Sequence, residues 1–205
     1  MKRSFVACLA GAFLIALPAL AHGQISASAH NFAAETWNPS GEICVVCHAP
    51  HNNTVTLANA PLWNHDTTSA TFTVYTSPTL DAGPLGQPAG ISKLCLSCHD
   101  GTVALDSYGG ATGTNFITNA NGDSLGVDLG NDHPISFAYT AGLDPELYDP
   151  TTQSSGLGGT IDADMLFSTQ LECASCHDVH NGAGLANLLR KSNAVSALCL
   201  TCHNK

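Results

Sequence analysis

The longest apolar run of the chain lies at its start. Residues 5–20 are almost wholly apolar, follow two basic residues, and end at the small-x-small sequence of residues 19–21. This is the three-part signature of a secretory signal peptide, and the run is too short for a confident membrane span. We therefore expect residues 1–21 to be removed, leaving an exported protein that begins at His22 and has no transmembrane segment.

Beyond this run, few segments are periodic. Residues 71–76 alternate apolar and polar positions and predict a strand. Residues 185–190 and 193–201 predict short helices, the second with Ser192 as its N-cap. Ser92 is expected to start a similar turn. The pattern thus predicts a mostly irregular, loop-rich fold with a few short helices and little strand.

With so few periodic segments, the side chains alone are expected to form only a small hydrophobic core. Apolar residues make up 44% of the chain, so it is not a disordered tail. Only 11% of its residues are charged, against about 25% in typical proteins. Loss of Lys2 and Arg3 with the signal peptide changes the formal net charge from −10 to −12. Such an acidic chain repels nucleic acid and anionic membrane surfaces, which excludes them as partners.

The spacing of the cysteines indicates what else could fill the core. The chain has nine cysteines; Cys8 belongs to the signal peptide, and the other eight all fall in copies of C-x-x-C-H. The copies are Cys44-x-x-Cys47-His48, Cys95-x-x-Cys98-His99, Cys173-x-x-Cys176-His177 and Cys199-x-x-Cys202-His203. Disulfide frameworks and zinc sites leave four regularly placed histidines unexplained, and a thioredoxin-like motif needs a βαβ pattern that is absent.

The motif C-x-x-C-H is the signature of c-type haem attachment. Each cysteine forms a thioether to the haem, and the adjacent histidine becomes the proximal iron ligand. The sequence therefore predicts four covalently bound haems that build the core, with proximal ligands His48, His99, His177 and His203. Folding is expected to depend on haem, as it depends on metal in small metal-binding domains.

Each iron then needs a distal ligand. Met165 is the only methionine left after signal cleavage, whereas enough histidines remain to give all four irons two imidazoles. His51 and His180 lie three residues after a proximal histidine, less than one helical turn away, so each is expected to ligate a different haem. The other candidates are His30, His65 and His133, and the sequence leaves open which of His30 and His65 binds iron.

Fully ligated irons leave no position for a substrate. Such haems also lack the axial methionine that raises the potential of other cytochromes. The expected function is low-potential outer-sphere electron transfer rather than catalysis. An enzyme would need an open iron position, often marked by an altered attachment motif, and all four motifs are regular.

The four motifs are of two kinds in alternating order. Residues 42–52 resemble residues 172–181, and residues 91–100 resemble residues 195–204. This pattern predicts one tetrahaem domain over 22–205. Within it, we expect two-haem modules at about 22–108 and 160–205 and a loop-rich insertion at about 109–159, where Gly, Asn, Asp and Thr are frequent.

The phrases GEICVVCHAPHN, PLWNH, LCLSCHDGTVA, NDHPISF and LCLTCHNK resemble the multihaem c-type cytochromes with doubled C-x-x-C-H motifs. The similarity is greatest to the OmcE-type tetrahaem cytochromes of metal-reducing bacteria. That resemblance implies extracellular or cell-surface filaments with a continuous haem stack, in which a neighbouring subunit donates one axial histidine. His51 is the candidate donor, and redox proteins or extracellular acceptors are the expected partners. A soluble periplasmic carrier, or the electron-input subunit of a larger complex, is the alternative.

Overall fold

The computed structural model describes residues 24–51, 60, 62–118 and 123–205. The expected signal peptide at residues 1–21, and His22 after it, lie outside the described residues. Most of the described backbone forms turns and bends, with short helices and one pair of two-residue strands. This confirms the expected irregular fold with few short helices and little strand.

The α-helices of the described residues are α1 Gly90–His99, α2 Ile161–Met165, α3 Cys173–Cys176 and α4 Cys199–Cys202. α1 begins two residues before Ser92 and ends on a motif histidine. α2 is capped by Thr160, whose side chain accepts a hydrogen bond from the Ala163 N–H. α3 and α4 consist of the C-x-x-C residues themselves, so three of these four helices carry an attachment motif.

The predicted helix at 193–201 is broken in two. A 3-10 helix at Ala194–Ser196 precedes α4, and both Val195 and Ser196 have left-handed backbone angles, with φ of 50° and 61°. A continuous right-handed helix cannot pass through such residues. Ser192 does not occupy a helix N-cap position, because Asn193 precedes the 3-10 helix and Leu198 precedes α4. Its hydroxyl oxygen accepts from the Ala194 N–H at 3.2 Å.

The predicted helix at 185–190 is reduced to a 3-10 helix at Ala186–Leu188. Its middle residue, Asn187, has φ of 55°, which short polar side chains tolerate better than most. The predicted short helix is therefore present only as this single 3-10 turn.

The predicted strand at 71–76 was also wrong. Only Thr73 pairs there, in an isolated parallel bridge with Asp128. β1 Phe137–Ala138 and β2 Gln170–Leu171 instead form an antiparallel pair, with Phe137 opposite Leu171. A segment that alternates like a strand needs a partner of matching length, and the described chain offers residues 71–76 no more than the bridge.

Two apolar clusters lie beside the motifs. One contains Leu96 of α1 with Phe72 and Leu129. The other is formed by buried residues around α2 and receives two attachment cysteines at its edge, Cys176 and Cys202. Its buried members are Tyr139, Ile161, Met165, Leu166, Leu171 and Leu198.

Residues 109–159 contribute to this second cluster. Tyr139 is buried in it, and its hydroxyl lies within hydrogen-bonding distance of two carbonyl oxygens, Tyr148 O at 3.0 Å and Cys202 O at 3.2 Å. The loop-rich stretch therefore packs directly against the last attachment motif. Within the described part of the chain, no helix has the length and apolar character that crossing a bilayer requires.

Candidate haem-attachment sites

The attachment motifs share a local turn. In three of them, the backbone N–H of the histidine donates to the carbonyl of the first cysteine, at 2.8 Å for His48, 3.0 Å for His177 and 3.0 Å for His203. The remaining motif forms the last turn of α1. Residues three apart on such a turn lie on the same side, so each motif presents its two thiols together.

All eight motif cysteines are free thiols. Burial raises the pKa of Cys47 to about 11, of Cys98 to about 12 and of Cys176 to about 11. These groups are therefore protonated and unlike the exposed, low-pKa thiols of exchange enzymes. Among the described residues, no cluster of three or more His, Cys, Asp or Glu side chains is placed to hold a metal ion directly.

The thiols of successive motifs influence one another electrostatically, in pairs that follow chain order. The pairs are Cys47 with Cys98, Cys95 with Cys173, and Cys176 with Cys202. In the central pair, a hydrogen bond between the two thiols raises the pKa of Cys95 and lowers that of Cys173. In the other two pairs, burial is the main cause of the raised pKa, and the neighbouring thiol adds to it. Electrostatic interactions therefore connect the first motif with the second, the second with the third, and the third with the fourth.

Histidine rings pair between the motifs and the rest of the chain. Among the described residues, three pairs form: His30 with His99, His48 with His180, and His133 with His203. Their ring centroids lie 6.0, 6.2 and 6.2 Å apart. Two imidazoles bound to opposite sides of one metal ion, each with a metal–nitrogen distance of about 2 Å, have ring centres about 6 Å apart. Each pair joins one proximal candidate with one distal candidate, so the residues present fit bis-histidine haem.

The second ring nitrogen is also held as a metal ligand requires. The Nδ1 of His99 lies 2.6 Å from Asp123 O, that of His177 lies 2.8 Å from Asn187 O, and that of His133 lies 2.9 Å from Pro134 O. A carbonyl oxygen only accepts hydrogen bonds, so Nδ1 carries the proton and Nε2 keeps its lone pair. Metal-bound histidines are typically oriented in this way.

Burial keeps the ring of His30 neutral. Burial, assisted by the nearby ring of His99, lowers the pKa of His30 to about 4. Its Nδ1 is buried and makes no hydrogen bond within the described residues. A neutral imidazole is the form that binds a metal.

His65 is placed differently from the other candidates. Its side chain is 1% exposed, with Nδ1 2.8 Å from Asp66 O and Nε2 3.0 Å from Ala104 O. Both nitrogens thus lie near carbonyl oxygens, and Nε2 also lies 3.8 Å from the Cys98 thiol. Among the described residues, its ring packs against Trp63 at 6.4 Å and not against a motif histidine. The sequence left open which of His30 and His65 binds iron. The ring contact with a motif histidine favours His30.

Among the described residues, His51 and His177 are predicted ligands whose rings do not pack against another histidine. His180 stacks on His48 and not on His177 of its own motif, an arrangement that its three-residue spacing predicts. His51 and His177 are both exposed. Met165 is 2% exposed in the apolar cluster around α2.

Some residues at the sites were not identified from the sequence. The carbonyls of Asp123 and Asn187, which orient two histidines, carry no side-chain signal that a motif search could find. Glu172 is buried between the second and third motifs. The sequence does contain a signal for Glu172, because a glutamate precedes both the first motif (Glu42) and the third motif (Glu172).

Comparison with known proteins supports this reading of the motifs. A family model described as "Doubled CXXCH motif" matches residues 166–205, which contain the third and fourth motifs. No curated protein matches the chain. The doubled motif supports a multihaem c-type cytochrome, indicates covalently bound c-type haem, and points to electron transfer as the chemistry of these sites.

Proposed function

We propose that this protein transfers electrons at low potential through four c-type haems that lie in chain order in two two-haem modules. The three histidine ring pairs carry the proposal, because their spacing suits one iron between each pair. Bound haem supplies one-electron chemistry. The thiols of each motif anchor it, and the motif histidine ligates one face.

Each histidine ring pair contains one motif histidine, so the other ring is assigned to that motif as its distal ligand. His180 serves the first motif, His30 the second and His133 the fourth. Met165 is enclosed by apolar side chains, so all assigned ligands are imidazoles. Two imidazoles favour a lower potential than histidine with methionine does. They also exclude substrate from the iron, which supports an electron carrier rather than an enzyme.

The third motif leads to the second part of the proposal. His177 is exposed and has its Nδ1 bonded to Asn187 O, which leaves Nε2 available. His51 is exposed and unassigned. We place His51 of one copy on the iron held by His177 of the next copy. Such a contact joins different surfaces of the two copies, so its repetition without closure into a ring builds a filament. An exported filament of this kind would carry electrons to redox proteins or acceptors outside the cell.

One observation favours the alternative, a soluble periplasmic carrier. His51 is three residues from His48, and His177 is three residues from His180, while the rings of His48 and His180 stack. Each of the two unassigned histidines therefore lies three residues from the same ring pair within a single chain. If His51 closes the third site internally, the protein needs no neighbouring copy.

A haem count combined with electron microscopy tests both parts. We expect four low-spin haems per chain in the purified, haem-loaded protein, and regular thin fibres in negative stain. His51→Ala should retain four haems, convert one iron to high spin, and lose the fibres. The control is Glu42→Gln, an exposed change just before the first motif that should leave fibres and spin state unchanged.

Each contrary result has a distinct meaning. Purified protein without haem absorption would overturn the whole proposal. Intact fibres in His51→Ala would overturn the shared ligand. Discrete wild-type particles with four low-spin irons would establish the single-chain carrier instead.

A further inference from the structure

Glu172 is a buried carboxylate between the second and third motifs. It is 5% exposed and immediately precedes Cys173. Its side chain reaches Ser92 in the first turn of α1, the helix that carries Cys95 and Cys98. One side chain therefore connects the two motifs that lie at the junction of the two-haem modules.

Hydrogen-bond donors converge on one of its oxygens. Oε2 accepts from the Ser92 N–H at 3.1 Å and from the Ser92 hydroxyl, and the Ser136 hydroxyl lies 3.0 Å away. The Ser92 oxygen itself accepts from the Cys173 N–H at 2.9 Å, so its own hydrogen is directed at Glu172. A group surrounded by donors is an acceptor, which is the hydrogen-bonding character of an ionised carboxylate.

No side-chain cation pairs with this charge in the described part of the chain. The ion pairs there join Asp178 with His180 and Glu146 with Lys205. Glu172 is instead stabilised by hydroxyls and by the positive end of the α1 dipole. Its field reaches both attachment sites, because its charge adds to the effects of the thiol hydrogen bond and burial in raising the pKa of Cys95, and opposes the lowering of the pKa of Cys173.

We propose that the Glu172 carboxylate lowers the reduction potentials of the two central haems, those of the second and third motifs. The oxidised iron centre carries one more positive charge than the reduced centre, so a fixed negative charge nearby stabilises the oxidised state. Burial keeps solvent from screening the interaction. This inference rests on the proposed function, since it requires haem at both motifs.

The position of the charge determines which potentials it shifts. Because Glu172 lies between the two motifs, it lowers both potentials together. The difference in potential between the two central haems therefore changes less than the difference between each central haem and its outer neighbour. Asp100, also buried, immediately follows the proximal histidine of the second motif and contributes to the raised pKa of Cys98 in that motif.

The test is a spectroelectrochemical titration of the full haem-loaded protein. Glu172→Gln keeps the size of the side chain and removes its charge, so two of the four potentials should rise while two stay unchanged. Glu42→Gln is the matched control, since Glu42 is the exposed glutamate before the first motif, and it should leave all four unchanged. Four unchanged potentials in Glu172→Gln, with haem content intact, would overturn the proposal, as would equal movement of all four.

A second variant covers the case in which Glu172→Gln does not mature. Ser136→Ala keeps the charge and removes one hydroxyl that faces it, so the carboxylate is less compensated. The same two potentials should then fall, and unchanged or raised potentials would contradict the assignment. Absence of haem from the wild-type protein is a separate result that sinks the proposed function itself.

Discussion

In the proposed assignment, His180 completes the haem site of another motif. Its ring stacks on His48 at 6.2 Å with an interplanar angle of 17°. His180→Ala should leave the haem count unchanged, because the first motif keeps both thiols, but should convert one of four irons to high spin. Electron paramagnetic resonance of the oxidised protein measures this change.

His65→Ala is the matched control for that variant. Removing this buried ring leaves the carbonyl of Ala104 without its partner and should cost about 1–3 kcal/mol of stability, with all four irons still low-spin. A high-spin iron in His65→Ala, or none in His180→Ala, would reverse the assignment.

Single residues differ in how far the sequence determines their role. The proposed roles of the motif cysteines and histidines follow from their spacing alone, because covalent attachment requires that spacing. The cross-motif placement of His180 followed from a steric limit of similar simplicity. The choice between His30 and His65 could not be predicted, because it depends on Ala104 O, 39 residues from His65 in the chain.

The start of α1 depends on a glycine. Gly90 has φ of +51°, and a Cβ there would lie 2.6 Å from Glu172 Oε1. Gly90→Ala should therefore strain the backbone and displace the carboxylate, at a cost of about 1–3 kcal/mol in the free energy of unfolding. Denaturant unfolding of the haem-loaded protein measures the change.

Gly86→Ala is a control four residues earlier. No heavy atom lies within 4 Å of a Cβ built there, and Gly86 does not have the left-handed φ of Gly90. Its stability should change by no more than about 1 kcal/mol, and any change should be a gain. Equal effects from the two substitutions would show that the fit around Gly90 is unimportant.

Elements were predicted less well than residues. Attachment chemistry forces a turn at every motif, and the structure has one there. Elsewhere the local pattern did not determine the outcome. Val195 is 95% exposed in a left-handed conformation, which a β-branched residue rarely adopts. An apolar residue at a helical position gave no warning of that conformation.

The whole molecule is acidic, with 16 acidic and 6 basic residues. Electron transfer to a small cationic complex should slow several-fold as ionic strength rises from 0.01 to about 0.1 M, because the screening length falls from about 30 to 10 Å. Transfer to an anionic complex should accelerate over the same range. Stopped-flow kinetics measures both rates, with a neutral acceptor as control, and parallel trends for the two ions would contradict the prediction.

The stacked rings of His48 and His180 also affect the order in which the protein matures. The two residues lie about 130 positions apart, and contacts of such separation close late because of their loop entropy. If His180 ligates the first iron as proposed, the first motif to be synthesised cannot be completed until the third has been made. A chain that stalls before residue 180 would then keep its first iron half-ligated, and that defect would distinguish an unfinished molecule from a finished one.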